Sequence, residues 1–250
     1  GNTWRAVSGD LARGIDRNAL EVMGRVWGPD AVHTSGSTSI YGNAVALSES
    51  PLVEGLIFVG TDDGQIEITA DGGATWHVEG RFPGVPANTS VAELEASQHD
   101  ADTVYATFDN PKPRDFDPYL LKSADRGRSW TSIRGDLPDG EIAWTIAQDH
   151  VEEELLFLGT EFGLFVTVDE GEHWGALKAG LPTIAVRELE IQRPDNDHAQ
   201  ATIGRGLYIL DDYTPLRVLT AQTLAEDATL FQVKDTLRYI ETSRLGLPTV

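Results

Sequence analysis

The chain has 250 residues, 19 basic against 40 acidic side chains and a formal charge of -21, with no cysteine. A surface of that sign repels phosphate backbones and anionic lipid, which excludes nucleic-acid binding, and the missing thiols exclude a disulfide framework and a thiolate zinc site. Apolar runs such as "LLFL" at 155–158 are far too short for a membrane span, so the chain reads as soluble, with no membrane insertion.

In chain order, "GNTW" at 1–4 comes first, and a long irregular segment, 12–43, follows. "LIFVGTDDG" (56–64) is a β-rich run closing on Thr, and it leads to "TADGGATW" (69–76). The same two pieces return as "VYATFD" (104–109) with "SADRGRSW" (123–130), and as "LLFLGTEFG" (155–163) with "TVDEGEHW" (167–174). A fourth Thr-ending run, "AQATIGRG" (199–206), has no full motif behind it, and "GNTW" reads as the second half of another copy.

The anchors Thr61, Thr107, Thr160 and Thr202 fall 46, 53 and 42 residues apart, a period of propeller blades or solenoid repeats. Each unit holds four short runs with turn residues every eight to twelve positions and no 3.6-residue periodicity. That pattern predicts four-stranded antiparallel units, the runs being strands A to D. "GRFP", "GDLP" and "AGLP", with "GDLA" at 9–12 as a partial match, mark the crossovers, where a proline costs no ladder hydrogen bond.

The motif [Ser/Thr]-x-Asp-x-Gly-x-x-Trp resembles the Asp-box, or BNR, repeat of sialidase-like and sortilin-type β-propellers. With "FVGT", "GLP" and "GRGLYILDD" (204–212), the chain is similar to bacterial sortilin-like or glycosyl-hydrolase-like proteins. The resemblance implies an all-β propeller of four to five blades over 1–215, with an insertion at 12–43. Residues 216–250 would be a tail of closing strands or a linker to a further domain.

Asp71, Asp125 and Asp169 read as turn staples, Gly73, Gly127 and Gly171 as positive-φ positions, and Trp76, Trp130 and Trp174 as wedges between blades. Repetition once per unit is an architectural sign rather than a catalytic one. Trp130→Ala is therefore expected to destabilise far more than Asp63→Ala, Asp63 being taken as an exposed turn acid.

Chemistry is expected at the opposite face, where the loops after each Thr converge. Asp62, Asp63, Asp109 and Glu161 are the candidate catalytic carboxylates, and Arg205, Trp27, Tyr41 and Asp63 the candidate binding residues. A paired-carboxylate glycosidase is permitted by these residue types, whereas the Arg-Ile-Pro signature of sialidases is absent. Two irregular loops, 12–43 with Trp27, His33 and Tyr41 and "DNPKPRDFDPY" (109–119), are recognition candidates.

His99, His150 and His198 are read at equivalent A–B turns, and no metal and no cofactor are expected. The leading reading is a non-catalytic binding or scaffold module of a larger exported bacterial protein, extracytoplasmic, with its targeting signal outside this chain. Its partner would be a peptide, a partner domain or a glycan. The alternative is a glycoside hydrolase resembling two-propeller xyloglucan-active enzymes. For the tail, a helix is expected at 220–227 and strands at 228–233 and 237–241. Either these strands pair beside Asn2–Val7 and close a ring, or the arc stays open and self-associates through its edges; the open arc is the favoured reading.

Overall fold

A computed structural model of the chain describes residues 3–28, 31, 41–178, 180–233 and 235. A short 3-10 turn (Arg17–Ala19) and a small hairpin, β1 (Glu21–Val22) with β2 (Arg25–Val26), lie within the irregular segment. Four sheets follow. The first three are four-stranded antiparallel meanders: β3–β6 (Ala44–Glu49, Ile57–Thr61, Ile66–Thr69, His77–Glu79), β7–β10 (Ser90–Ala96, Val104–Asp109, Tyr119–Ser123, Thr131–Ser132) and β11–β14 (Ala143–Gln148, Leu156–Thr160, Leu164–Thr167, Gly175–Ala176). The fourth has three strands, β15–β17 (Val186–Gln192, Asp197–Thr202, Gly206–Leu210), so its expected fourth strand is missing among the described residues.

Strand alternation sends one face of each sheet toward the next. Phe58, Ile66 and Ile68 of the first blade share a buried cluster with Leu94 and Trp130 of the second, and Tyr105 and Leu120 of the second do so with Ile146 and Trp174 of the third. Phe157 of the third packs with Val186 and Leu189 of the fourth. Hydrogen bonds between side chains and main chain tie neighbouring blades. Ala96 N–H donates to Ser48 Oγ at 3.0 Å, Ile146 N–H to Glu93 Oε2 at 3.3 Å, and Thr107 Oγ1 to the Trp144 carbonyl at 3.1 Å. β3 and β7 thus each offer a side-chain acceptor to the first strand of the following blade.

The repeated turn lies between the third and fourth strands of each complete blade, as expected, and its chemistry is the same three times. Thr69 Oγ1 donates to Asp71 Oδ1 and accepts the Gly73 N–H, while Asp71 also accepts the Thr75 N–H and hydroxyl, all within 2.7–2.9 Å. Ser123, Asp125, Gly127 and Ser129 reproduce this, as do Thr167, Asp169, Gly171 and His173, whose imidazole Nδ1 replaces the hydroxyl at 2.8 Å. These bonds hold Asp71 and Asp125 down at about 2. Gly73 and Gly171 sit at φ +92° and +91°, and a Cβ on either would lie 2.5 or 2.6 Å from the carbonyl oxygen of Val7 or Ile133, so both conformation and space require glycine.

Trp130 and Trp174 are buried wedges, each 7% exposed. Trp76 is only partly buried, because a short N-terminal segment rather than a full blade lies against it, with Trp76 Nε1 donating to the Val7 carbonyl at 3.3 Å.

The tail corrects two expectations and leaves a third outside the described residues. Helix α1 covers only Ala221–Leu224, residues 228–233 form no strand, and 237–241 lie outside the described residues. Asn2 is also outside them, and residues 3–8 are in no strand, so no fifth blade is formed among the described residues. His198 belongs to β16 rather than to a turn, and it packs on Phe157 with ring centroids 4.4 Å apart.

Candidate functional site

The first strands start, and the second strands end, on the side opposite the repeated turns. There a concavity of about 500 Å³ draws residues from all four blades: Val45 on β3, Ser90 to Ala92 on β7, Asp109 ending β8, Trp144 on β11, and Arg187 on β15 with Ile203 after β16. Its centre is a stack. The Arg187 guanidinium carbon lies 3.2 Å from the Trp144 ring centroid, Trp144 Nε1 donates to Glu161 Oε2 at 2.9 Å, and Arg187 approaches the same oxygen at 3.9 Å. A guanidinium covered on one face by indole is held flat, and its N–H edges still point to solvent.

Asp109 borders this stack. Burial pushes its carboxyl above the usual range, while a Ser90 hydrogen bond and the charges of Lys112 and Arg187 pull it back in part. Asp109 and Glu161 thus share one mouth, one in the wall and one fixing the tryptophan.

The other expected residues are placed differently. Asp62 accepts the N–H groups of Gly42 and Asn43 at 2.8 Å and the Asn43 amide at 3.0 Å. Asp63, expected at the surface, is fully buried: it accepts the Thr61 hydroxyl at 2.6 Å and the Arg13 N–H at 2.8 Å. Arg13 then donates to the carbonyls of Asp63, Gly64 and Gly80. Both aspartates fasten the 12–43 insertion to the first blade. Tyr41 lies beside them, its hydroxyl raised by burial and by the charges of Asp63 and Asp62. Trp27 is 42% exposed with Arg25 4.7 Å from its ring, Arg205 is exposed in the β16–β17 loop, and neither lines the concavity; His33 is outside the described residues.

Sequence reasoning missed Trp144 and Arg187. The available signals were a tryptophan outside the repeated motif and a lone arginine in the acidic strand "VRELEIQ". One further carboxylate and imidazole group, Asp169, Glu172 and His173, has metal-ligand spacing. It is the third copy of the repeated turn, and the Asp169–His173 bond does there what a hydroxyl does in the other two.

No family model matches the chain, and no curated protein does. Among solved structures it is similar to a GH74 enzyme of Niastella koreensis (TM-score 0.54, 13% identity, 70% of this chain and 29% of that one). It is also similar to YCF48 bound to D1 peptide (0.50, 16%, 68% and 51%) and to the β-propeller domain of Cps50 (Swd1) from Myceliophthora thermophila (0.54, 13%, 73% and 56%). The chain is a β-propeller of four-stranded blades, and it spans between 29% and 56% of the lengths of these neighbours. No helix among the described residues is long and apolar enough to cross a membrane.

Proposed function

We propose that the chain is a non-catalytic binding module of the Asp-box class, recognising a peptide, a partner domain or a glycan at the channel mouth. The observation that carries this reading is the Trp144–Arg187 stack, fixed by Glu161 at the floor of a concavity to which all four blades contribute. A rigid aromatic platform with an adjacent fork of N–H donors suits both a sugar face and an extended main chain. One neighbour is described as bound to a peptide, which supports the peptide partner. In this reading the chain works outside the cytoplasm as part of a larger exported protein.

The alternative, a glycoside hydrolase, is favoured by the raised carboxyl of Asp109 and by the GH74 neighbour. Against it, Asp62 and Asp63 are committed to holding the insertion, which leaves Asp109 and Glu161.

The test is titration of the chain with a library of extended peptides and with xyloglucan oligosaccharides, followed by tryptophan fluorescence, with a reducing-sugar assay on the same samples. Saturable binding that Trp144→Ala and Arg187→Ala abolish, without sugar release, is expected. Turnover lost in Asp109→Asn would replace this reading with the hydrolase.

A further inference from the structure

Each of the four first strands carries one residue more than the second strand it pairs with, always at the same place. The ladder steps from Ala44–Thr61 to Ala46–Gly60, from Val91–Phe108 to Glu93–Thr107, from Ala143–Thr160 to Thr145–Gly159 and from Val186–Thr202 to Glu188–Ala201. The residues passed over are Val45, Ala92, Trp144 and Arg187. They are β-bulges rather than strand ends, because pairing resumes beyond them: Asp62, Glu161 and Ile203 N–H donate to the Asn43, Ile142 and Ala185 carbonyls, and Ser90 pairs with Asp109.

A bulge turns one residue out of the alternation of its strand. All four of these residues line the concavity at the mouth. Neighbouring blades seat them. The residue before the bulge, Val91 or Val186, is fully buried against Gly60 or Gly159 of the preceding blade, where a Cβ would lie 2.4 Å from Val91 Cγ1 or 2.8 Å from the Val186 carbonyl oxygen. The carbonyl of the bulged Trp144 accepts the Thr107 hydroxyl from the blade before it at 3.1 Å. Ala92 and Trp144 stay partly open although a blade stands on either side of each, so the opening belongs to the position itself.

Arg187 is the one charged residue of the four. Its guanidinium lies flat on Trp144, and Glu161, which already accepts Trp144 Nε1, stands off at 3.9 Å, so the two-pronged N–H edge can take a carboxylate from outside. Asp109 in the wall is close enough to feel the charge of Arg187 and opposes a second such group. Successive blades thus present an aliphatic, a small, an aromatic and a cationic residue, a series that suits a chain of unlike side chains better than a polymer of one repeated sugar.

We propose that Val45, Ala92, Trp144 and Arg187 are the specificity-determining positions of the mouth, and that Arg187 among them selects an extended peptide carrying a single acidic side chain. This rests on the reading of the concavity as a recognition site and names its ligand class. The test uses the whole chain and synthetic peptides with amidated C-termini, in families that differ at one position by Asp, Asn or Lys, with oligogalacturonate as an acidic sugar. The Asp member of a bound family is expected to bind about tenfold tighter than its Asn counterpart, by a margin that shrinks as salt is added. Arg187→Gln should bring the two to equal affinity, and Arg187→Glu should move the preference to Lys. Ala92→Arg should create a preference for a second acid, whereas Ile203→Arg, which adds the same charge to the concavity outside the bulges, should not; circular dichroism checks that all four variants fold. Peptides bound with no preference at that position, a preference that survives Arg187→Gln, or a second acid preferred equally by the Ile203→Arg protein would each overturn the proposal while leaving the concavity a recognition site. Binding of oligogalacturonate without any peptide would overturn the peptide assignment, and no binding of either would overturn the proposed function with it.

Discussion

Arg217 grips Asp149 through two hydrogen bonds, Nε at 2.8 Å and an Nη at 2.7 Å, at the position where the first three blades set a tryptophan. The equivalence follows from the main chain. Tyr213 N–H donates to the Asn196 carbonyl as Gly72, Arg126 and Glu170 donate to Gly55, Asp102 and Glu154, which puts Arg217 at the last position of a diverged turn, "LDDYTPLR". The fourth blade thus exchanges an apolar wedge for an ion pair whose carboxylate is fully buried and also accepts the Tyr213 hydroxyl at 2.6 Å.

Removing one partner of such a pair strands the other. Arg217→Ala is expected to cost about 3 kcal/mol or more, against less than about 1 kcal/mol for Lys122→Ala, whose partner Glu170 is partly exposed. Urea unfolding of the two variants compares them directly, and equal midpoints would contradict the assignment.

Trp130→Ala and Trp174→Ala each empty a buried wedge and should cost about 3–5 kcal/mol, with Trp76→Ala costing clearly less. The expected contrast with Asp63 narrows, because Asp63→Ala leaves the Thr61 hydroxyl and the Arg13 N–H without their acceptor in the interior and is itself destabilising by about 1–3 kcal/mol. Thermal melts of the four variants should rank Trp130 and Trp174 first, then Asp63 and Trp76.

Burial raises Glu93 to about 8 and Glu95 to about 7. A carboxyl whose folded value lies above its unfolded one binds more protons when folded, so its contribution is present below about pH 4.5 and lost as pH rises toward 8. Glu93→Gln should flatten the fall in melting temperature between pH 5 and pH 8, taking both limits from these shifts. The repeated turns act in the opposite sense. With Asp71 and Asp125 held at about 2, their contribution is present above about pH 4 and lost in stronger acid, so Asp125→Asn should shift the acid limb and leave the neutral limb unchanged.

The blades were legible in the sequence because their turns need particular chemistry: a hydroxyl, an aspartate two residues on and a positive-φ glycine recur wherever the chain must make that turn. Strand order followed from the same recurrence. The burial of Asp63 was not legible, since it depends on Arg13 crossing from an insertion fifty residues away. Trp144 and Arg187 lie outside the repeat, and only the convergence of separate blades brings them together. The diverged turn ending at Arg217 kept its backbone hydrogen bond while losing nearly every residue that marks the motif, so spacing alone could not find it.

Arg13 has a mechanical consequence. Its N–H and its guanidinium make four hydrogen bonds, to the Asp63 carboxylate and to three carbonyls, two in the β4–β5 loop and one just after β6. Tension applied upstream of residue 13 would load these bonds in parallel, as shear, rather than peel the first sheet from its edge one bond at a time. The irregular segment from Arg13 to Gly42 is anchored at its far end as well, where Asp62 holds Gly42 and Asn43. A pull on the N-terminus therefore meets the single Trp76–Val7 and Gln65–Leu11 bonds first and the four-bond Arg13 clamp behind them, which shields the segment between the two anchors.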